Sequence, residues 1–125
     1  MKQKFSIISL LTLIFVVALS FNSLANKTSV EITAPEKAAK GSEITIKIDV
    51  SHFGNSRGHH TDWVVVKING EEYKKWEYNK DKLPEDSNFT LEFTVIAEED
   101  MEIVAEGNCN KHGSKGKAKA KIVVQ

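Results

Sequence analysis

Trp63-Val64-Val65-Val66-Lys67-Ile68-Asn69-Gly70-Glu71-Glu72-Tyr73-Lys74-Lys75-Trp76-Glu77-Tyr78 is the stretch that decides the fold. It reads as two strands joined by the tightest kind of turn. Asn and Gly both tolerate the positive φ of a type I′ turn, and a pair of them between β-branched and aromatic runs is a strong hairpin signal. Working outward, Ile44, Ile46, Ile48 and Val50 fall on one face of a strand over 43–50. Phe89, Leu91, Phe93 and Val95 repeat the two-residue period, and Met101, Ile103 and Ala105 continue it after Glu98-Glu99-Asp100. Thr28 to Thr33 and Lys117 to Val124 complete the set. The polar run 79–87, with Pro84, reads as a long loop, and Pro35 and Gly41 mark a connection. Seven strands and no helical period predict an all-β chain, an immunoglobulin-like antiparallel β-sandwich of about seven strands.

Before these strands lies a different kind of segment. Lys2 and Lys4 precede an almost wholly apolar run from Phe5 to Ser20, and Ser23-Leu24-Ala25 offers small residues beyond it. A charged flank, a short apolar core and a small-residue exit in that order predict a secretory signal peptide over 1–25. The apolar run is shorter than the roughly 20 residues a membrane-spanning helix needs. Cleavage after Ala25 leaves one domain, 26–125, in a periplasmic or secreted location with no membrane attachment. Without Lys2 and Lys4, 15 basic side chains face 17 acidic ones, which excludes a nucleic-acid binder by charge. A domain of this size buries one modest core, so a site is expected near its surface. The single cysteine, Cys109, rules out an internal disulfide.

All four histidines and that cysteine fall in two predicted loops. His52, His59 and His60 precede the Trp63 strand, and Cys109 and His112 stand in Asn108-Cys109-Asn110-Lys111-His112-Gly113 before the last one. Imidazole and thiolate are preferred ligands of borderline transition metals, and loops on a rigid sandwich can aim them at one point. The two residues between Cys109 and His112 let one turn direct both side chains, with Gly107 and Gly113 expected to bend the loop at each end. Structural zinc usually takes two or more thiolates. Blue copper takes one Cys and two His, commonly with a Met, but Met101 is eight residues from Cys109 and on a strand. Iron with three or four imidazoles and one thiolate is the remaining match; zinc, copper and a metal-free interaction domain stay open as alternatives.

These residues resemble the iron domain of superoxide reductases, the desulfoferrodoxin or neelaredoxin family. Cys109-Asn110-Lys111-His112-Gly113 matches that family's Cys-Asn-x-His-Gly loop in full, and His59-His60-Thr61-Asp62-Trp63 is similar to its second motif. The resemblance spans roughly 50–124. It implies His52, His59 and His112 as equatorial ligands and Cys109 as the axial ligand of a mononuclear non-haem iron. It also implies reduction of superoxide to hydrogen peroxide with electrons from an external donor protein. The amino-terminal Cys cluster of longer members is absent. The gap from His52 to His59 is one residue longer than usual in the family, and Phe53 stands where Pro often follows the first His. The family's Glu-Lys-His motif, which supplies a fourth imidazole and a catalytic Lys, is represented only by Glu36-Lys37-Ala38.

His60 is the one other imidazole that could make up four, although neighbouring residues entering a strand face opposite ways. The mobile cation implied by the resemblance falls to Lys37, Lys40 or Lys111. Lys111, Lys115, Lys117, Lys119 and Lys121 form a basic run that reads either as a field attracting an anion or as the solvated face of an edge strand. Trp63 and Trp76 are expected in the core rather than as electron relays. A non-catalytic metal-binding or cupredoxin-like electron-transfer module is the alternative function, and the oligomeric state, including a homo-oligomer, stays open.

Overall fold

Every second residue of Glu43–Ser51 (β3) turns inward, and Ile46, Ile48 and Val50 are fully buried between exposed neighbours. The same alternation in Asn88–Ile96 (β6) buries Phe89 and Phe93, and in Met101–Cys109 (β7) it buries Met101, Ile103, Ala105, Gly107 and Cys109. The remaining strands are Ser29–Thr33 (β1), Lys37–Ala38 (β2), Thr61–Ile68 (β4), Glu71–Glu77 (β5) and Lys117–Val124 (β8). The computed structural model describes residues 27–125, and the expected signal segment over 1–25 lies outside them. The described residues contain no helix.

Two sheets pack face to face. One has the order β1-β3-β6 and the other β2-β8-β7-β4-β5, so β3 and β4, consecutive in the chain, lie in different sheets. Such an arrangement buries both inward rows in one core. That core gathers Ile46, Ile48 and Phe93 from one sheet with Val64, Val66, Ile103 and Ile122 from the other. Each large aliphatic or aromatic side chain fully buried there contributes about 1.5–3 kcal/mol. Asn69 and Gly70 adopt φ of 51° and 85°, as the expected hairpin turn requires. Asn69 also donates to the Asp100 carbonyl and accepts from the Glu102 amide, clipping the β4–β5 turn to the start of β7.

The eighth strand is β2, two residues paired in parallel with Val123 and Val124 of β8. It shields the last residues of an otherwise open sheet edge. Trp76 packs against Phe93, as expected of a core residue. Trp63 does not: it is half-buried, faces outward with Val65, and lines a shallow surface groove with Val104. The inward places at that height of β4 are taken by Val64 and Val66, each fully buried. The period therefore turns the neighbouring Trp63 to the outside.

At one end of the sandwich several segments meet. Thr61 pairs with Cys109, so loop 52–60 entering β4 and loop 110–116 leaving β7 start from the same rung. Ser29, Ser51 and Asn88 are also in register across the other sheet at this end. Because loop 52–60 crosses from one sheet to the other, its two ends are anchored by different sheets.

Candidate metal centre

His52 leaves the end of β3 and is only 2% exposed. Its amide donates to the Ser87 carbonyl at 2.9 Å, which fixes where the loop begins. His59 sits seven residues on, half-buried, in a small closed turn: the Ser56 amide donates to the His59 carbonyl and the His59 amide to the Ser56 carbonyl. Cys109 ends the inward row of β7 and is 1% exposed. Its amide and carbonyl bond the Gly113 carbonyl and amide, both at 2.9 Å, closing a five-residue loop that carries His112 back over the thiol. Gly113 has φ +82°, so the loop closes without the strain a side chain would bring. Gly107 has a different role from the expected bend. It lies inside β7, where a Cβ would come within 2.7 Å of Thr28 Cγ2 and 3.1 Å of Val30 Cγ1. Glycine there lets the start of the described chain pack directly on β7.

Donor atoms of His52, His59 and Cys109 all lie within 4.8 Å of one another. His112 joins them, with Nδ1 at 3.0 Å from His59 Nε2 and 4.0 Å from Cys109 Sγ. The three imidazoles stand edge to face in sequence, His59 between the other two, with centroids 4.7 and 4.8 Å apart. These separations suit one transition-metal ion. Two nitrogens about 2.1 Å from an ion are about 3.0 Å apart at right angles and about 4.2 Å apart on opposite sides. Three imidazoles and one cysteine sulfur, with no carboxylate among them, favour a borderline metal over calcium or magnesium.

His60 is not in the cluster. Its Nδ1 donates to the Ser56 carbonyl at 2.9 Å, and its ring is buried beside the loop it stabilises. The alternation at the entry to β4 sends it away from His59. Met101 is at the opposite end of β7, paired with Ile122, so among the described residues no thioether reaches Cys109.

The structure rearranges the expected cations. Lys37 lies in β2 opposite Val123, and the Lys40 amide bonds the Gln125 carbonyl, so both are at the far end of the sandwich. Lys117 and Lys121 face Glu106 and Glu102 across β7, which offsets much of the basic run. Two other lysines lie on the cleft beside His52. Lys27 and Lys115 line a cleft of about 250 Å³ together with His52, Ser29, Ser51 and Ser87. Lys27 is held there because Thr28 is fully buried, bonds Thr61 Oγ1 at 2.9 Å through its hydroxyl, and accepts from the Lys115 amide. Sequence reasoning missed this pair, since nothing in the order of residues says that 27 and 115 meet.

The sequence model of the desulfoferrodoxin family matches residues 21–115. Among solved structures, the fold is similar to a superoxide reductase (neelaredoxin) from Ignicoccus hospitalis, at 20% identity over 79% of this chain and 83% of that one, TM-score 0.66. It is also similar to a putative superoxide reductase from Thermotoga maritima, at 24% identity over 78% and 86%, TM-score 0.59. A CARDB domain from Pyrococcus furiosus, at 20% identity over 78% and 93%, TM-score 0.60, shares the sandwich too. Among curated proteins none matches. At such identities the structural likenesses establish the fold, and the family match covers most of the sequence: the chain belongs to the desulfoferrodoxin family.

Proposed function

We propose that this is an exported non-haem iron protein that reduces superoxide to hydrogen peroxide, with His52, His59, His112 and Cys109 as the ligands of one iron. The observation that carries the reading is the convergence of these three imidazoles and the only thiol at one end of a desulfoferrodoxin-family sandwich. When bound, mononuclear iron supplies the redox step: one electron and two protons from water turn superoxide into hydrogen peroxide, and an external donor protein returns the electron.

The chain's own residues set the conditions for that step. Cys109, buried at the end of β7, offers a thiolate that donates electron density and lowers the charge of the site. Lys27 and Lys115 give the cleft beside His52 a positive potential that favours a small anion. His112 is exposed, so water reaches the cluster from that side and can deliver protons. Export rests on the segment 1–25, and the work is done in the periplasm or outside the cell.

Two assays on iron-loaded protein test this reading. Superoxide should disappear with formation of hydrogen peroxide and without dioxygen, and catalytic turnover should require an added electron donor. Metal-loaded protein that leaves superoxide untouched would reduce the chain to a metal-binding or electron-transfer module.

A further inference from the structure

We infer that Asn110 is a positioning residue of the metal centre, a clamp that fixes His59 against Cys109. The inference rests on the ligand set proposed above and adds a residue outside it. Asn110 is the residue after Cys109, inside the closed loop that carries His112. Its side-chain oxygen accepts the His60 amide at 2.9 Å, its own amide donates to the His60 carbonyl at 3.0 Å, and its Nδ2 donates to the Gly58 carbonyl at 3.3 Å. Gly58 and His60 flank His59 on both sides. One residue therefore grips the backbone before and after one ligand while being bonded covalently to another.

Two features separate this from ordinary loop packing. Asn110 is exposed and adds nothing to the core, so its value to stability is small. The loop is also tied at Gly54 and Asn55, which donate to Ser87 Oγ and the Asp86 carbonyl, at Asn55 Oδ1, which accepts the Thr61 amide, and by the Arg57–Asp81 ion pair, whereas Asn110 bonds the residues on either side of His59. Without the clamp, His59 can drift relative to Cys109 and His112, and a ligand that drifts costs affinity. Removing an outer partner of a metal ligand typically lowers affinity tenfold to hundredfold.

The test uses cobalt(II) alone as a spectroscopic probe, with the wild type and the variants Asn110→Ala and Asn110→Asp. The Asp variant keeps an acceptor for the His60 amide and loses the donor to Gly58. Asn110→Ala should weaken cobalt binding by about ten- to a hundredfold and shift its thiolate band. It should also speed hydrogen exchange at the His60 amide at least about tenfold, the signature of a lost bond. The metal-free melting temperature should move by no more than about 4 °C. Asn110→Asp should recover the His60 protection and part of the affinity. Unchanged cobalt affinity and band in Asn110→Ala, or a melting loss that fully accounts for the affinity loss with no recovery in Asn110→Asp, overturns the inference. A wild type that takes up no cobalt overturns the metal-centre reading and the clamp's role with it, a result readily told apart from uptake that ignores Asn110.

Discussion

Gly107→Ala adds one methyl group at a place where the structure has no room for it. The new Cβ would sit 2.7 Å from Thr28 Cγ2 and 3.1 Å from Val30 Cγ1, with Val64 Cγ2 at 3.7 Å. Thr28 is fully buried and its hydroxyl is bonded to Thr61, so turning its methyl away sacrifices that bond. Overpacking of this kind costs about 1–3 kcal/mol, and the lost hydroxyl pair about 1 kcal/mol more. Alanine in a strand regains about 0.5–1 kcal/mol over glycine. The net is about 2 kcal/mol of destabilisation, or about 8–16 °C in melting temperature for a domain of this size. Thr28→Ser removes the clashing methyl and keeps the hydroxyl, so the double variant Thr28→Ser/Gly107→Ala should recover more than half of the loss. Thermal and urea unfolding of the four proteins of this cycle measure it. A Gly107→Ala protein as stable as the wild type, or one that Thr28→Ser does not relieve, refutes the close-approach argument. The same displacement moves Lys27, so Gly107→Ala should also flatten the salt dependence of superoxide capture.

Lys27→Ala with Lys115→Ala should slow superoxide capture severalfold at low ionic strength and less at 0.1 M salt, where the Debye length is about 10 Å. Lys111→Ala, whose side chain lies outside the cleft, should change it less, and stopped-flow rates at several salt concentrations separate the two. Asn69→Ala places a residue with less tolerance of positive φ at 51° and removes the bonds to Asp100 and Glu102; chemical unfolding should show a loss of about 1–2 kcal/mol. Burial, and then Glu85, push the Tyr78 hydroxyl above its ordinary value. The unfolded chain therefore ionises first as pH rises through about 10, stability falls there, and Tyr78→Phe should remove that slope in melts across alkaline pH.

The hairpin, the inward rows and the two ligand loops were legible because each is a local pattern: Asn-Gly chemistry, a two-residue period, a Cys and a His two residues apart. β2 was not, because a two-residue parallel pairing has no period and exists only where β8 offers its edge. Trp63 misled because hydrophobicity alone does not say which face of a strand a residue takes, and the register with Val64 and Val66 decided it. The cation was sought at Lys37, Lys40 or Lys111, whereas the lysines that line the cleft beside His52 are Lys27 and Lys115. That meeting depends on Gly107 and Thr28, residues that look ordinary until the strands are side by side.

The central claim is that Cys109 and the three histidines hold one iron. The visible spectrum of the protein, loaded anaerobically with ferrous iron and then oxidised, tests it most directly, run beside Cys109→Ser. A thiolate-to-iron band in the wild type that is lost in the variant is the predicted result. A protein that binds no iron, or a Cys109→Ser variant that keeps the full band, contradicts it.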